Sequence, residues 1–263
     1  MSARTGLLER AVAWLIAPAE GPAPRGPARA PDDPKASPGR PAAGAAADDP
    51  GEGAATAAAL RRPVIVVCGA GAGAGATTIA RALAAALASR DPFRSAVVAG
   101  ADARGALPLA TPAAARLARV VRERAGVAAR PSGRLCLARA DDPPALAGAL
   151  RGAAPLVVDA GGREQARRLA TLADRVVVVA AARSEPALAE IVARSLAGEG
   201  ARPLVVVNRL PPIEDDPGGR WAGRSDVAVP ASLPAARLAL ACRGGTGAFG
   251  AAVDALAQRC LEP

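Results

Sequence analysis

"VIVVCGAGAGAGATTIARALAAALA", residues 64–88, reads as a buried strand, a glycine-rich turn and an alanine-rich helix. Five apolar residues end at a run in which glycine alternates with alanine, and helical composition resumes at Ala76. A strand that passes into a helix through glycines aims backbone N–H groups and a helix N-terminus at one place, which is the chemistry of phosphate binding. Gly71, Gly73 and Gly75 give the backbone the freedom this needs. Set against G-x-x-x-x-G-K-[ST], the stretch puts Ala70 at the first glycine, Gly75 at the second, Ala76 at the lysine and Thr77 at the magnesium-binding hydroxyl. Two of the defining positions are therefore changed. The same letters also satisfy G-x-G-x-x-A, starting at Gly69 or Gly71, which would open a dinucleotide-binding Rossmann unit with Asp102 as a ribose ligand. The loop alone leaves both frames open, together with a turn that binds nothing.

Beyond the loop, apolar runs alternate with helical patterns. Strands are expected at 63–68, 95–99, 134–138, 155–159, 175–181, 203–208 and 226–229. Helices are expected at 76–89, 112–125, 143–151, 163–173, 185–198, 233–242 and 247–260, with Ser184 starting the fifth. "PVIVVC", "PLVVDA", "DRVVVVAA" and "PLVVVN" are apolar without alternation, as strands covered on both faces are. The fold class is therefore α/β, a doubly wound, mostly parallel sheet with helices on both faces. The loop 210–225, with "PPIEDDPGGR", reads as exposed and mobile.

Upstream, residues 5–17 read as a short helix, capped by Thr5 and ended by Pro18, with Leu7, Leu8, Ala11, Val12, Trp14 and Leu15 on one broad face. It suits docking on the body or a partner, or a weak membrane-surface contact. Residues 18–60 are rich in Pro, Ala, Gly and Asp without any period and read as a disordered linker. The expected organisation is thus 1–17 helix, 18–60 linker and 61–263 folded domain.

Composition narrows the chemistry. Among 263 residues there is no histidine and no tyrosine, and aromatics make up 2%, so the core is built from Ala, Val and Leu. The cysteines, Cys68, Cys136, Cys242 and Cys260, have no metal-like or redox-like spacing, which argues against zinc and a disulfide framework and fits a cytoplasmic protein. No run is long enough to span a membrane, and the start "MSARTGLLERAVAWLIAP" has no clear signal-cleavage site. The net charge of +9 is carried almost wholly by arginine, and the single lysine is Lys35. Arg116, Arg119, Arg122 and Arg124 cluster on one expected helix. Such charge gives salt-sensitive affinity for any phosphate backbone, but without aromatic platforms nothing marks a dedicated single-strand surface, and DNA binding is not predicted.

The landmarks together resemble the ParA/MinD family of deviant-Walker P-loop ATPases. "GAGAGATT" at 71–78 stands where the family has K-G-G-x-G-K-T-T, with Thr77 and Thr78 matching. "VVAGADARGA" is similar to the switch I stretch D-x-D-P-Q-G, with Asp102 at the second aspartate and Gly100 replacing the first. "PLVVDAGG" resembles the Walker B and switch II strand, with Asp159 matching, and "PLVVVNRL" the strand whose asparagine, here Asn208, lies at the nucleotide base. "LADRVVVVAAARSEPALAEIVARSL" and "VAVPASLPAARLALACRGG" follow in family order, so the resemblance covers about residues 62–260.

The resemblance implies a nucleotide site at Gly71, Gly73, Gly75, Ala76, Thr77, Thr78 and Asn208, with magnesium on Thr77, Asp102 and Asp159, the last two being the catalytic candidates. Both family lysines are missing, at Ala76 and Gly71. Phosphoryl transfer depends on positioned positive charge, so their loss costs more in rate than in binding. The expectation is a weakly nucleotide-binding or non-hydrolysing organiser that acts through protein partners, compatible with a homodimer and with ATP and magnesium as optional ligands. Arg104, after Asp102 in the switch I stretch, and Arg163, after the switch II stretch, are the arginines that could replace the lysines, which would make the chain an ATP-driven dimerisation switch. The Rossmann frame keeps a third reading, an NAD(P)-dependent oxidoreductase, although tyrosine and histidine for its proton transfers are absent. Limited proteolysis should cut within 18–60 and leave a resistant core; protection across that interval would contradict the linker boundaries.

Overall fold

The computed structural model describes residues 62–92, 94–100, 109–139, 142–210 and 217–262, all within one compact unit. The expected helix at 5–17, the linker, the boundary at Arg61, Asp102 and Arg104 lie outside the described residues.

The elements follow the apolar runs. In chain order they are β1 (Val64–Gly69), α1 (Ala76–Arg90), β2 (Ala96–Ala99), α2 (Pro112–Ala125), β3 (Ala129–Ser132), β4 (Leu135–Ala138), α3 (Pro143–Leu150) and β5 (Leu156–Gly161). They continue with α4 (Arg163–Leu169), a 3₁₀ turn at Ala170–Leu172, β6 (Arg175–Ala181), α5 (Pro186–Gly198), β7 (Pro203–Leu210), α6 (Pro217–Trp221), β8 (Val227–Pro230), α7 (Leu233–Leu240) and α8 (Gly247–Leu261). Eight strands form one sheet in the order β3-β4-β2-β5-β1-β6-β7-β8. Only the β3–β4 pair is antiparallel.

Side chains alternate across this sheet. Ile65, Val67, Val98, Val157 and Val177 face α1, α7 and α8, while Val64, Val66, Val97, Val158 and Val178 face the helices from α2 to α6. The sheet is therefore covered on both sides, as its unbroken apolar strands require. Helix α1 is buried almost all round, with eleven of its residues inside, seven of them alanine. Starts of elements are fixed by short polar side chains. Thr111, Asp142 and Ser232 each accept a backbone N–H three residues on and are followed by a proline in the first turn. Asp174 and Asp226 reach across to accept the N–H of Val64 (2.8 Å) and Val205 (2.7 Å), tying neighbouring strands together.

The strand order removes the dinucleotide frame. A Rossmann unit runs 3-2-1-4-5-6, with the second strand beside the first. Here β5, the strand of Asp159, lies between β1 and β2, and the oxidoreductase reading falls with that frame. Three local expectations also change. Ser184 does not start α5: Glu185 is its N-cap, without a side-chain bond, and Pro186 opens the helix. The 163–173 helix breaks at its end into a 3₁₀ turn. Within 210–225, read as exposed and mobile, α6 buries Trp221, whose indole N–H donates to the Ala182 carbonyl at 2.9 Å. A large apolar ring with a satisfied polar handle anchors that segment.

All four cysteines are buried and free. Burial pushes the Cys68, Cys136 and Cys260 thiols up to about 12 and raises Cys242 as well. Below pH 9 both folded and unfolded chains keep these protons. Above it the unfolded chain releases them and the folded chain does not, so stability falls as pH rises from 9 towards 12, by about 1.4 kcal/mol per thiol per pH unit. With no tyrosine and one lysine in the chain, few other groups titrate there. Thermal melting from pH 8 to 11 should show the decline, and a Cys68→Ala/Cys136→Ala variant should show a shallower one; equal slopes would disprove the thiol origin.

Candidate functional site

The glycine-rich loop leaves the C-terminal end of β1, and the Ala70 N–H donates to the Val179 carbonyl of β6 (2.8 Å) as it does so. The backbone turns through positive φ at Gly73 (72°) and Gly75 (91°). Gly75 is the N-cap of α1 and makes no side-chain cap. The Ile79 N–H donates back to the Gly75 carbonyl at 3.0 Å, leaving the N–H groups of Ala76, Thr77 and Thr78 ahead of the helical ladder. No acidic residue lies in the first turn. The backbone cradle and the positive end of the helix dipole are thus both present, in the form that accepts an anion.

Asn208 clasps this loop from β7. Its side-chain Nδ2 donates to the Ala74 carbonyl at 2.9 Å, and its Oδ1 accepts the Arg209 N–H at 2.9 Å. The side chain is buried and lies directly on Gly75, where any Cβ would run into it. Gly75 is therefore required twice, by its left-handed backbone and by this contact. Sequence reasoning gave Asn208 a place at the nucleotide base; the structure brings it under the loop as a bridge.

On the other side of the loop, β5 pairs with β1 so that Val67 is opposite Asp159 and Cys68 opposite Gly161. Asp159 has the same parity as Val157, which faces α1, so its side chain is on the α1 side of the sheet. It lines a cavity of about 340 Å³ together with Arg81, Arg130 and Arg139. Thr77 lies one turn before Arg81 on α1. One Asp159 oxygen accepts the Gly161 N–H at 3.2 Å, so the carboxylate also holds the turn after β5. Gly100 closes against it: a Cβ there would be 3.2 Å from the Asp159 Cβ, so any side chain at this position would require Asp159 to give by a few tenths of an ångström. Among the described residues no three potential metal-ligating His, Cys, Asp or Glu side chains converge.

The lysine position is occupied by an apolar contact. Ala76 is 9% exposed and packs within the core on the α1 side. Gly71 is exposed with open space around it. Of the arginines named from sequence, Arg163 opens α4 at the surface and makes no side-chain contact with the loop. One guanidinium near the loop is one that sequence reasoning missed. Arg209, next to Asn208 and at φ 63°, brings Nη2 to 4.0 Å from the point where a Gly75 Cβ would lie. With Arg183 it lines a second cavity, about 380 Å³, at the ends of β6 to β8. Its signal was the "NR" of "VVVNRL"; nothing local showed that this arginine would come back to a loop more than a hundred residues earlier.

Solved proteins share the fold. A chain of the MinC:MinD cell division protein complex of Aquifex aeolicus superposes with a TM-score of 0.51 at 17% identity, covering 75% of this chain and 95% of its own. The MinD cell division protein of the same organism gives 0.50 at 17%, covering 75% and 96%. The chain has the ParA/MinD fold. A ParA family ATPase from Chlorobium tepidum TLS overlaps with a TM-score of 0.49 at 14% identity, over 75% and 99% of the two chains. No protein-family model matches this chain, and no curated protein does. In this ParA/MinD-like domain the glycine-rich loop, Asp159 and Asn208 therefore meet at the carboxyl end of the sheet, where open α/β folds bind their ligands. Among the described residues no helix is long and apolar enough to cross a membrane.

If Asn208 is mainly a clasp, Asn208→Ala should lower the stability of the ligand-free protein by about 1–3 kcal/mol, because the buried Ala74 carbonyl loses its partner. Denaturant unfolding checks this; an unchanged midpoint would remove the structural role.

Proposed function

We propose that this chain is a ParA/MinD-like regulatory protein that binds adenine nucleotide weakly and does not hydrolyse it at a useful rate, acting instead through protein partners in the cytoplasm. The observation that carries the reading is Ala76: the loop keeps its N–H cradle and uncapped helix N-terminus while the lysine's place is filled by a buried methyl group. A phosphate fits such a cradle, held by the backbone around Gly73 and Gly75 and the N–H groups of Ala76, Thr77 and Thr78. The Thr77 hydroxyl and the Asp159 carboxylate are hard oxygen donors suited to magnesium, with Asp102 the third ligand that the resemblance implies. A bound magnesium would offset phosphate charge; the chain's own missing cation is what slows transfer.

The partner role is supported by α5, which holds Leu188 and Ile191 one turn apart at 52% and 50% exposure. The similar Aquifex chain comes from a complex of MinD with MinC. By analogy, the partner here is a cytoplasmic protein, or a second copy of the chain in a homodimer.

Arg209 favours a second reading. Its guanidinium stands near the loop at Gly75 and could meet a phosphate, making the protein a slow ATP-driven switch. The two readings differ in turnover. Titration calorimetry with ATP and magnesium should give binding no tighter than the high micromolar range, with negligible phosphate release. Ala76→Lys should fold, tighten ATP binding by about 1–3 kcal/mol and leave turnover low, since Gly71 still lacks the second lysine. Ordinary magnesium-dependent turnover by the parent protein would refute the first reading. Turnover lost in Arg209→Ala, with an unchanged melting temperature, would establish the second.

A further inference from the structure

At the opposite end of β1 from the glycine-rich loop lies a cavity of about 670 Å³. Arg62, immediately before β1, Ser95, before β2, and Ala154, before β5, put it at the amino end of the central strands, and α2 forms its outer wall. Four guanidinium-bearing side chains line it: Arg62, Arg116, Arg124 and Arg151, with Leu117 and Val120 between them on α2. Among the described residues no acidic side chain lines it.

The charges are unevenly provided for. Arg62 is held in place, donating to the buried carboxylate of Asp91 at 3.1 Å and to the Gly152 carbonyl at 2.6 Å. Arg151 donates to the Leu172 carbonyl at 3.2 Å. Arg116 and Arg124 make no hydrogen bond or ion pair among the described residues. Elsewhere on the surface Arg90, Arg167, Arg168, Arg220, Arg224 and Arg259 each meet a carboxylate. In the cavity four arginines converge, and Arg62 meets Asp91.

The geometry specifies the missing counter-charge. Arg116 and Arg124 are eight residues apart, about 12 Å along the helix, and helical side chains lean towards the N-terminus, which brings Arg124 back over the cavity. Between them the wall is apolar. A ligand that fits has anionic groups at separated points and an apolar or ring portion in the middle. The volume is in the range of small-molecule sites, whereas a flat partner would leave such a hollow unfilled. Guanidinium forks bind phosphoryl oxygens in pairs and also stack on planar rings. We propose that this cavity is a binding site for a phosphorylated small molecule of about nucleotide size, its phosphoryl groups on Arg116 and Arg124 and its apolar portion on Leu117 and Val120. The site is separate from the glycine-rich loop by the full length of β1 and stands whether or not that loop binds nucleotide.

The test uses adenosine 3′,5′-bisphosphate, which has two separated phosphoryl groups and no diphosphate for the loop to hold. Amide chemical shifts of the full-length protein are followed during titration, with adenosine as the uncharged control. Saturable shifts at residues 113–124 and 151–154, absent with adenosine, are expected. In the Arg116→Ala/Arg124→Ala variant the dissociation constant should rise at least tenfold. Both side chains are exposed, so the variant should melt with the parent, and Arg116→Lys/Arg124→Lys should recover part of the affinity. Shifts confined to residues 69–78, no shifts, or equal binding by the double alanine variant would overturn the proposal. So would shifts of α2 by duplex DNA with none by the bisphosphate, which would give these arginines to a macromolecule.

Discussion

Val66 and Val67 of β1 are closed off by β5 on one edge and β6 on the other, with α1 on one face and α4 on the opposite one. A strand so enclosed has no freedom to slip, because a one-residue change of register would send every buried valine to the wrong side. The loop after it therefore begins from a fixed point, and α1 returns along a fixed path. Asn208 completes the constraint by joining β7 to Ala74 across 134 positions of chain. The shape of the loop is thus dictated by neighbours on both edges of β1 rather than by its own glycines alone. The loop therefore keeps its form without a long side chain at Ala76.

Much of this was legible in the sequence, for a physical reason. Strands buried on both faces need continuous apolar runs, and "VIVVC", "LVVDA" and "RVVVVAA" admit few alternatives. Proline beside Thr111, Asp142 and Ser232 marked helix starts closely. What escaped was whatever depended on partners distant in sequence. β3, "ARPS", was missed because an edge strand pairs on one side only and can hold arginine and proline. Short α6 has no period to detect, and its anchor, Trp221, becomes intelligible only when Ala182 is seen beside it. Asp159 could be named from its strand, but the pressure of Gly100 on it, and the approach of Arg209 to Gly75, are properties of the packed sheet.

The two ends of the sheet present contrasting electrostatics. At the carboxyl end, positive character comes from backbone N–H groups and a helix terminus as well as from Arg81, Arg130 and Arg139 in the Asp159 cavity. At the amino end it comes from full guanidinium charges with one buried carboxylate among them. Dipoles select an anion by fit at short range, whereas full charges attract from farther away and are screened by salt. The two ends are joined by a strand held on both edges.

The alanine content of α1 has a consequence for how this protein can change. Truncation in a core normally leaves a void, and the void sets much of the damage. At seven of the eleven buried positions of α1 there is only a methyl group to remove, so that kind of damage is nearly unavailable. Nor does an alanine surrender any rotamer freedom when it is enclosed. The hazard is the reverse one: any larger side chain must push the sheet away from α7 and α8. Drift in sequence is consequently asymmetric along this helix, with enlargement filtered out and smallness retained. A helix kept small for packing reasons also keeps its first residue small, so that restoring a long cation at Ala76 requires a side chain that turns out of the core into the loop at once.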